Sequence, residues 1–310
     1  MTAVRIVVGI DGSAASREAL RWAVRWAEAL GGEVVAVHAV GLLEHRQGLG
    51  SDAARRTLVE STWAAPLART TCAHRVELKD GAALDVLLAT AAAERADLLV
   101  VGSRGTGDDP DRALGSTSLH VLQEAGLPVL VVPAAGPVSA AYAPVLRRIL
   151  VGVDRSAPAL AALGLAADLA AALGGSLTVL EAIEYVPPFP LGAATAGTGA
   201  AEKATAGARL ESAVSGLRRR GLAVQVVVRS GDPAPTLLEV ANDIDADLVV
   251  LGTRGRGGPG ELMLGSVART VADRVRRPTL VLPAAAGAVR LGGGAADSPG
   301  PARRSATRSG

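Results

Sequence analysis

Cysteine occurs once in this 310-residue chain, as Cys72, and aromatic residues make up only 2% of it. A lone cysteine excludes an intrachain disulfide and any metal site built from several thiolates. So few rings argue against single-stranded nucleic-acid platforms and sugar-binding clefts, which stack their ligands on aromatics. Lysine occurs only as Lys79 and Lys203, and neither follows a glycine, so the GxxxxGK[ST] phosphate loop is absent. A GxSxG nucleophile elbow and an HExxH helix are absent as well. His38, His45, His74 and His120 lack metal-ligand spacing and read as strand or surface residues. A clustered basic stripe is missing too. Residues 1–140 hold 16 acidic against 13 basic groups, residues 141–284 hold 13 against 15, and the last 26 hold one against four. The basic balance therefore comes largely from a short tail, and no nucleic-acid partner is expected. Arg218-Arg219-Arg220 and Arg274, Arg276 and Arg277 read as solvated helix ends.

What the chain does have is aliphatic: 49% of it is hydrophobic, and the core must be built from Ala, Val and Leu. The uncharged window Leu127 to Leu146 is interrupted by Pro128, Pro133, Gly136, Pro137 and Pro144, so it reads as a strand and a linker, not a membrane span. No basic start with an apolar stretch and a cleavage site opens the chain, so a cytoplasmic protein without a membrane partner is expected.

The chain repeats itself. RIVVGIDGSAASREAL from Arg5 returns as RILVGVDRSAPALAAL from Arg148, and ADLLVVGSRG from Ala96 returns as ADLVVLGTRG from Ala246. LGSTSLHVLQEAGLPVLVVP from Leu114 returns as LGSVARTVADRVRRPTLVLP from Leu264. A period this long means two whole domains, 1–137 and 145–284, followed by a disordered tail at 285–310. The extra residues of the second copy fall in Pro187–Ala201, a stretch of Pro, Gly and Ala that reads as a flexible loop. In the first copy, apolar runs at Val4–Ile10, Val34–Val40, Cys72–Leu78, Leu98–Val101 and Val129–Val132 predict strands. Helical patterns at Ser13–Leu30, Ser51–Thr70, Leu84–Arg95 and Thr117–Glu124 predict the segments between them. Strands apolar throughout and alternating with helices indicate an α/β domain with a five-stranded parallel sheet covered on both faces. Cys72 is expected to be a small buried residue, and Trp22 and Trp26 to serve packing.

Ligands of such sheets bind beyond the carboxyl ends of the strands. There the sequence places Gly9-Ile10-Asp11-Gly12-Ser13 and its copy Gly152-Val153-Asp154-Arg155-Ser156. It also places Gly102-x2-Gly105-x9-Gly115-Ser116 and its copy Gly252-x2-Gly255-x9-Gly265-Ser266, with identical spacing. Glycines let backbone amides approach phosphate oxygens, and a helix opening at Gly-Ser offers free N–H groups and a positive dipole end. Asp11 and Asp154 can accept hydrogen bonds from ribose or the adenine amino group. The same atoms also serve simple turns and helix caps, so both readings stay open on spacing alone. Gly255-x-Gly257-x-x-Gly260 matches the dinucleotide fingerprint only formally, because Pro259 sits inside it.

The two Gly-x2-Gly-x9-Gly-Ser motifs, the starts VVGIDGS and LVGVDRS, and the ends GLPVLVVP and RRPTLVLP resemble ATP-binding universal stress proteins of the tandem-domain type. The resemblance implies two Rossmann-like (adenine nucleotide alpha hydrolase-like) domains with strand order 3-2-1-4-5 and helices on both faces. It implies ATP near the first and fourth strands: Gly9, Asp11 and Ala39 on the adenosine side of the first copy, Gly102, Gly105, Gly115, Ser116 and Thr117 on its phosphate side. In the second copy these become Gly152, Asp154, Ala182, Gly252, Gly255, Gly265, Ser266 and Val267. It further implies that the domains pair through their last strands, Val129–Val132 and Leu280–Leu282, and that such chains dimerise. The copies differ: TGDDPDRAL puts Asp108, Asp109 and Asp111 beside the first phosphate turn, where they would repel ATP unless Mg²⁺ intervenes, whereas RGGPGELML is nearly neutral. Arg155 replaces Gly12, and Glu181 replaces His38. The expected function is that of a nucleotide-dependent stress-response regulator with slow or no hydrolysis and a protein partner yet to be named. The alternatives are a slow Mg²⁺-dependent ATPase using the three aspartates and an adaptor with empty pockets.

Overall fold

The computed structural model describes residues 3–41, 52–106, 114–134, 146–184, 198–253, 264–274 and 276–283. The first half (residues 3–134) runs β1 (Arg5–Gly9), α1 (Ala14–Leu30), β2 (Glu33–Val40), α2 (Asp52–Leu58), β3 (Ala73–Asp80), α3 (Ala83–Ala93), β4 (Leu98–Gly102), α4 (Ser116–Glu124) and β5 (Val129–Val132). The second (residues 146–283) runs β6 (Arg148–Gly152), α5 (Ala157–Leu173), β7 (Ser176–Ile183), α6 (Thr198–Arg219), β8 (Val224–Ser230), α7 (Pro233–Asp243), β9 (Leu248–Gly252), α8 (Ser266–Arg274) and β10 (Thr279–Leu282).

The same local chemistry builds both copies. Ser13 caps α1 by accepting from the Ser16 amide, and Ser156 caps α5 by accepting from the Ala159 amide. Both helices stop at a left-handed glycine, Gly31 at φ 66° and Gly174 at φ 68°, whose amide bonds back to Ala27 or Ala170. Each half is a parallel sheet of order 3-2-1-4-5, and the two merge into one ten-stranded sheet, β3-β2-β1-β4-β5-β10-β9-β6-β7-β8. The seam is the antiparallel pair β5–β10, with Leu130 opposite Leu280 and Val129 opposite Val281. Because only that pair is antiparallel, the carboxyl ends of the two parallel halves open on opposite edges of the sheet.

Strand residues alternate between two cores, which explains their unbroken apolarity. Ile6, Val8, Val100, Leu130, Ile149, Val151 and Leu280 face the side of α1, α5 and α6. Val7, Leu99, Val131, Leu150, Val249 and Val281 face α3, α4, α7 and α8.

Three sequence expectations need correction. The helix expected over Ser51–Thr70 ends at Leu58 and gives way to a π turn at Val59–Trp63 and a 3₁₀ turn at Ala65–Arg69. Pro66 has no amide for a continued α-helical ladder and its ring crowds the preceding turn. Within Pro187–Ala201, the loop reading fails from Thr198 onward, where α6 has already begun; Ala, Glu and Lys there favour helix, and residues 187–197 lie outside the described set. Cys72 is half-buried and lies just before β3, where its Sγ accepts from Thr70 Oγ1 at 3.2 Å. Trp26 is buried in the core and Trp22 packs beside it, edge to face. Arg218 and Arg219 close α6 and Arg274 closes α8. No helix among the described residues is long and apolar enough to cross a membrane.

Candidate nucleotide site

Each half brings two turns together at the carboxyl edge of its first and fourth strands. In the turn after β1, the Asp11 carboxylate accepts the Ser13 amide at 2.9 Å, and in the turn after β6, Asp154 accepts the Ser156 amide at 3.0 Å and its hydroxyl at 2.6 Å. This Asx turn requires positive φ at its middle residue, met by Gly12 at 80° and Arg155 at 72°. One oxygen of each aspartate thus serves the chain itself.

The second turn is also repeated bond for bond. Ser103 donates its amide to Val132 at 2.7 Å and accepts from Gly115 at 2.7 Å; Thr253 donates to Leu282 at 2.6 Å and accepts from Gly265 at 2.7 Å. In the first half the two turns are tied by Ser13 Oγ, which donates to the Arg104 carbonyl at 3.2 Å. Ser118 Oγ donates to the Gly102 carbonyl at 2.6 Å and holds α4 against β4; its counterpart Ala268 cannot.

The glycines divide into two sets. Gly102 and Gly252 are demanded by packing: a Cβ on Gly102 would lie 2.8 Å from the Ala15 and Ser16 backbone, and one on Gly252 2.8 Å from the Pro158 backbone. A Cβ on Gly9 would meet only the end of the Leu87 side chain at 3.0 Å, and one on Gly152 the ends of Leu251 at 2.8 Å and Leu237 at 3.0 Å. Close approach of the α1 and α5 backbones is by itself sufficient reason for glycine at 102 and 252. Gly115 and Gly265 instead precede helices that begin without a side-chain cap, since glycine has none to offer. Gly115 itself is the extended N-cap, so Ser116 is the first helical residue and not a cap.

The first turns of α4 and α8 carry no acidic residue, and among the described residues the amides of Ser116, Thr117, Ser266 and Val267 and the Ser116 and Ser266 hydroxyls have no hydrogen-bond partner. By contrast α1, α5 and α7 are capped by Ser13, Ser156 and Asp232, and α3 holds Asp85 in its first turn. Among the described residues the starts of α4 and α8 are thus bare positive ends, each at the carboxyl edge of its own half, which suits an external anion; α6 likewise has no acidic residue in its first turn. Ala39 and Ala182 lie near the ends of β2 and β7, beside those turns.

Gly255, Asp108, Asp109 and Asp111 lie outside the described residues; among the described ones no group of three His, Cys, Asp or Glu side chains could hold a metal. Sequence reasoning missed Trp63 and Arg209. His38 is buried, its Nδ1 2.9 Å from the Ile10 carbonyl, and its ring meets Trp63 edge-on at 4.9 Å. At the corresponding strand position Glu181 is buried and gripped by Arg209 Nη2 at 2.6 and 2.7 Å. No sequence spacing marks either contact, because both cross from a strand to the following irregular or helical segment.

A search of the solved structures finds a universal stress protein from Archaeoglobus fulgidus DSM 4304 at TM-score 0.69 and 22% identity, covering 92% of this chain and all of that one; it shares the fold. Two universal stress proteins of Mycobacterium tuberculosis (strain H37Rv) are each 32% identical, over 294 and 308 residues, covering 89% and 90% of this chain and 95% of each relative. The profile of the universal stress protein family matches residues 4–133 and again 146–283. The chain therefore belongs to the universal stress protein family.

Proposed function

We propose that each half binds an adenine nucleotide at its carboxyl edge, and that the bound ligand biases the conformation or the partners of a stress-response regulator. The observation that carries this reading is the pair of bare helix starts at Ser116 and Ser266, each beside an aspartate turn. The residues fit the ligand: the unpartnered amides and hydroxyls there suit phosphate oxygens, and the carboxylates of Asp11 and Asp154 are acceptors of the kind a ribose hydroxyl or amino donor takes. Gly105 and Gly255 would let the chain approach the phosphates, and Ala39 and Ala182 would lie against the base. ATP is the ligand proposed. Mg²⁺ is proposed only for the first half, held by Asp108, Asp109 and Asp111. Slow or absent hydrolysis is part of this proposal, since no general base or arginine among the described residues is placed on a leaving group and a regulator needs only different affinity in its two states. We place the protein in the cytoplasm, with a protein partner that reads the nucleotide state and with dimerisation beyond the internal pairing.

Mass spectrometry of the gently purified protein tests this: ATP should be released on denaturation. Asp154→Ala or Gly265→Ala should sharply reduce nucleotide binding and leave the circular dichroism spectrum unchanged. Turnover with Mg²⁺ that vanishes on replacing the three aspartates by Asn would favour an enzyme. A chain that neither carries nor takes up nucleotide would favour an adaptor.

A further inference from the structure

In the first half the Trp63 indole covers the aspartate turn so closely that a Cβ on Gly12 would lie 2.5 Å from its Cε2 and 2.6 Å from its Nε1. The same indole meets the buried His38 ring. In the second half the residue at Gly12's place is Arg155, whose side chain reaches the residue at His38's place: Nε lies 4.0 Å from Glu181 Oε1. One location above the ends of the first two strands is thus filled twice by a flat π group, reached from different points of the chain. It is an indole in one half and a guanidinium in the other. Arg209 engages the same Glu181 carboxylate at 2.6 Å, closer than Arg155 at 4.0 Å, so the Arg155 guanidinium is not held tightly to that one anion. Arg155 remains 45% exposed, open to a ligand in the crevice. It also holds a left-handed backbone that costs about 1 kcal/mol for a residue with a Cβ, where the first copy uses glycine.

We propose that Arg155 is a specificity-determining residue of the second half: its guanidinium makes binding there depend on the negative charge of the nucleotide. The first half, walled by Trp63, responds to the nucleoside part instead. This inference rests on the nucleotide reading given above. Its chemistry is that of a partly exposed guanidinium, which attracts phosphate through charge and planar donors and weakens with salt.

The test uses the full chain and two probes, ATP and adenosine, titrated by calorimetry at low and high salt. All three tryptophans lie in the first half, so fluorescence follows that half while heat follows both. Arg155→Gly relaxes the backbone and should fold at least as well as the wild type. It should weaken the calorimetric ATP isotherm of the second half about five- to tenfold and flatten its salt dependence. Adenosine binding should change less than about twofold, and the fluorescence isotherm should not move. Arg155→Asn, which also tolerates positive φ, should behave the same way. Equal losses for ATP and adenosine, or no loss at all, would overturn this inference and leave the nucleotide reading standing. A wild-type chain that binds neither probe would overturn both.

Discussion

The turn after β1 and the turn after β6 bend alike, close on the same aspartate-to-serine hydrogen bond and lead into helices with the same serine cap. Around this shared frame the halves diverge as a set. Gly12, His38 and Trp63 give the first half an aromatic wall, while Arg155, Glu181 and Arg209 give the second an ionic one. Duplicated backbone hydrogen bonds keep the two turns alike, while the side chains around them differ as a set. The divergence starts with Pro66: a broken helix brings Trp63 over Gly12, whereas the continuous 22-residue α6 presents Arg209 to Glu181.

The largest expected effects fall where the halves agree. Gly32→Ala and Gly175→Ala would press a Cβ into the carbonyl oxygens of Val4 and Leu146, and each should cost about 3 kcal/mol in denaturant unfolding. A large loss in one and none in the other would break the equivalence of the copies. Next comes the divergent wall. Gly12→Arg should destabilise the wild type by about 2 kcal/mol, because Trp63 occupies the space, and should cost far less in a Trp63→Ala background. A double-mutant cycle measures that coupling, and additivity would mean the indole and the Arg155 side chain do not fill the same place. Ser13→Ala and Ser156→Ala should each cost about 1 kcal/mol by uncapping α1 or α5.

The smallest effect is the pH dependence that Glu77 of the first half contributes. Glu77 on β3 is held below its ordinary value of 4.5, first by the Lys79 ammonium 2.8 Å from its Oε2 and then by the hydrogen bond from Arg75. Its contribution is therefore full above about pH 4.5 and lost as pH falls through its lower folded value. The group is partly exposed, so Glu77→Gln should cost about 0.5 kcal/mol at pH 7 and nothing near pH 2, read from urea midpoints.

Much of this was legible in the amino-acid sequence, and for physical reasons. Identical glycine spacing after two fourth strands survives only if the same backbone turn is built twice, and the hydrogen bonds of Ser103 and Thr253 show that turn. Continuous apolar strands follow from two-sided burial, so Ile6 to Val8 and Ile149 to Val151 were readable without coordinates. Spacing could not tell which glycines serve packing. Gly102 and Gly252 look like phosphate residues in the sequence, yet the backbones of α1 and α5 occupy the space of their missing Cβ atoms. Trp63 stayed hidden because helical periodicity assumes an unbroken ladder, and the π turn shifts every later side chain around the axis. The pairing of Arg209 with Glu181 joins residues 28 apart through tertiary packing, which no local pattern encodes.

The central claim is that the bare amides at the starts of α4 and α8 receive the phosphates. Amide-resolved NMR titration of the full chain with ATP tests it most directly. The account predicts that Ser116, Thr117, Ser266 and Val267 show the largest downfield shifts, and that adenosine leaves them nearly unmoved. ATP binding that shifts other amides and leaves these four in place would contradict it.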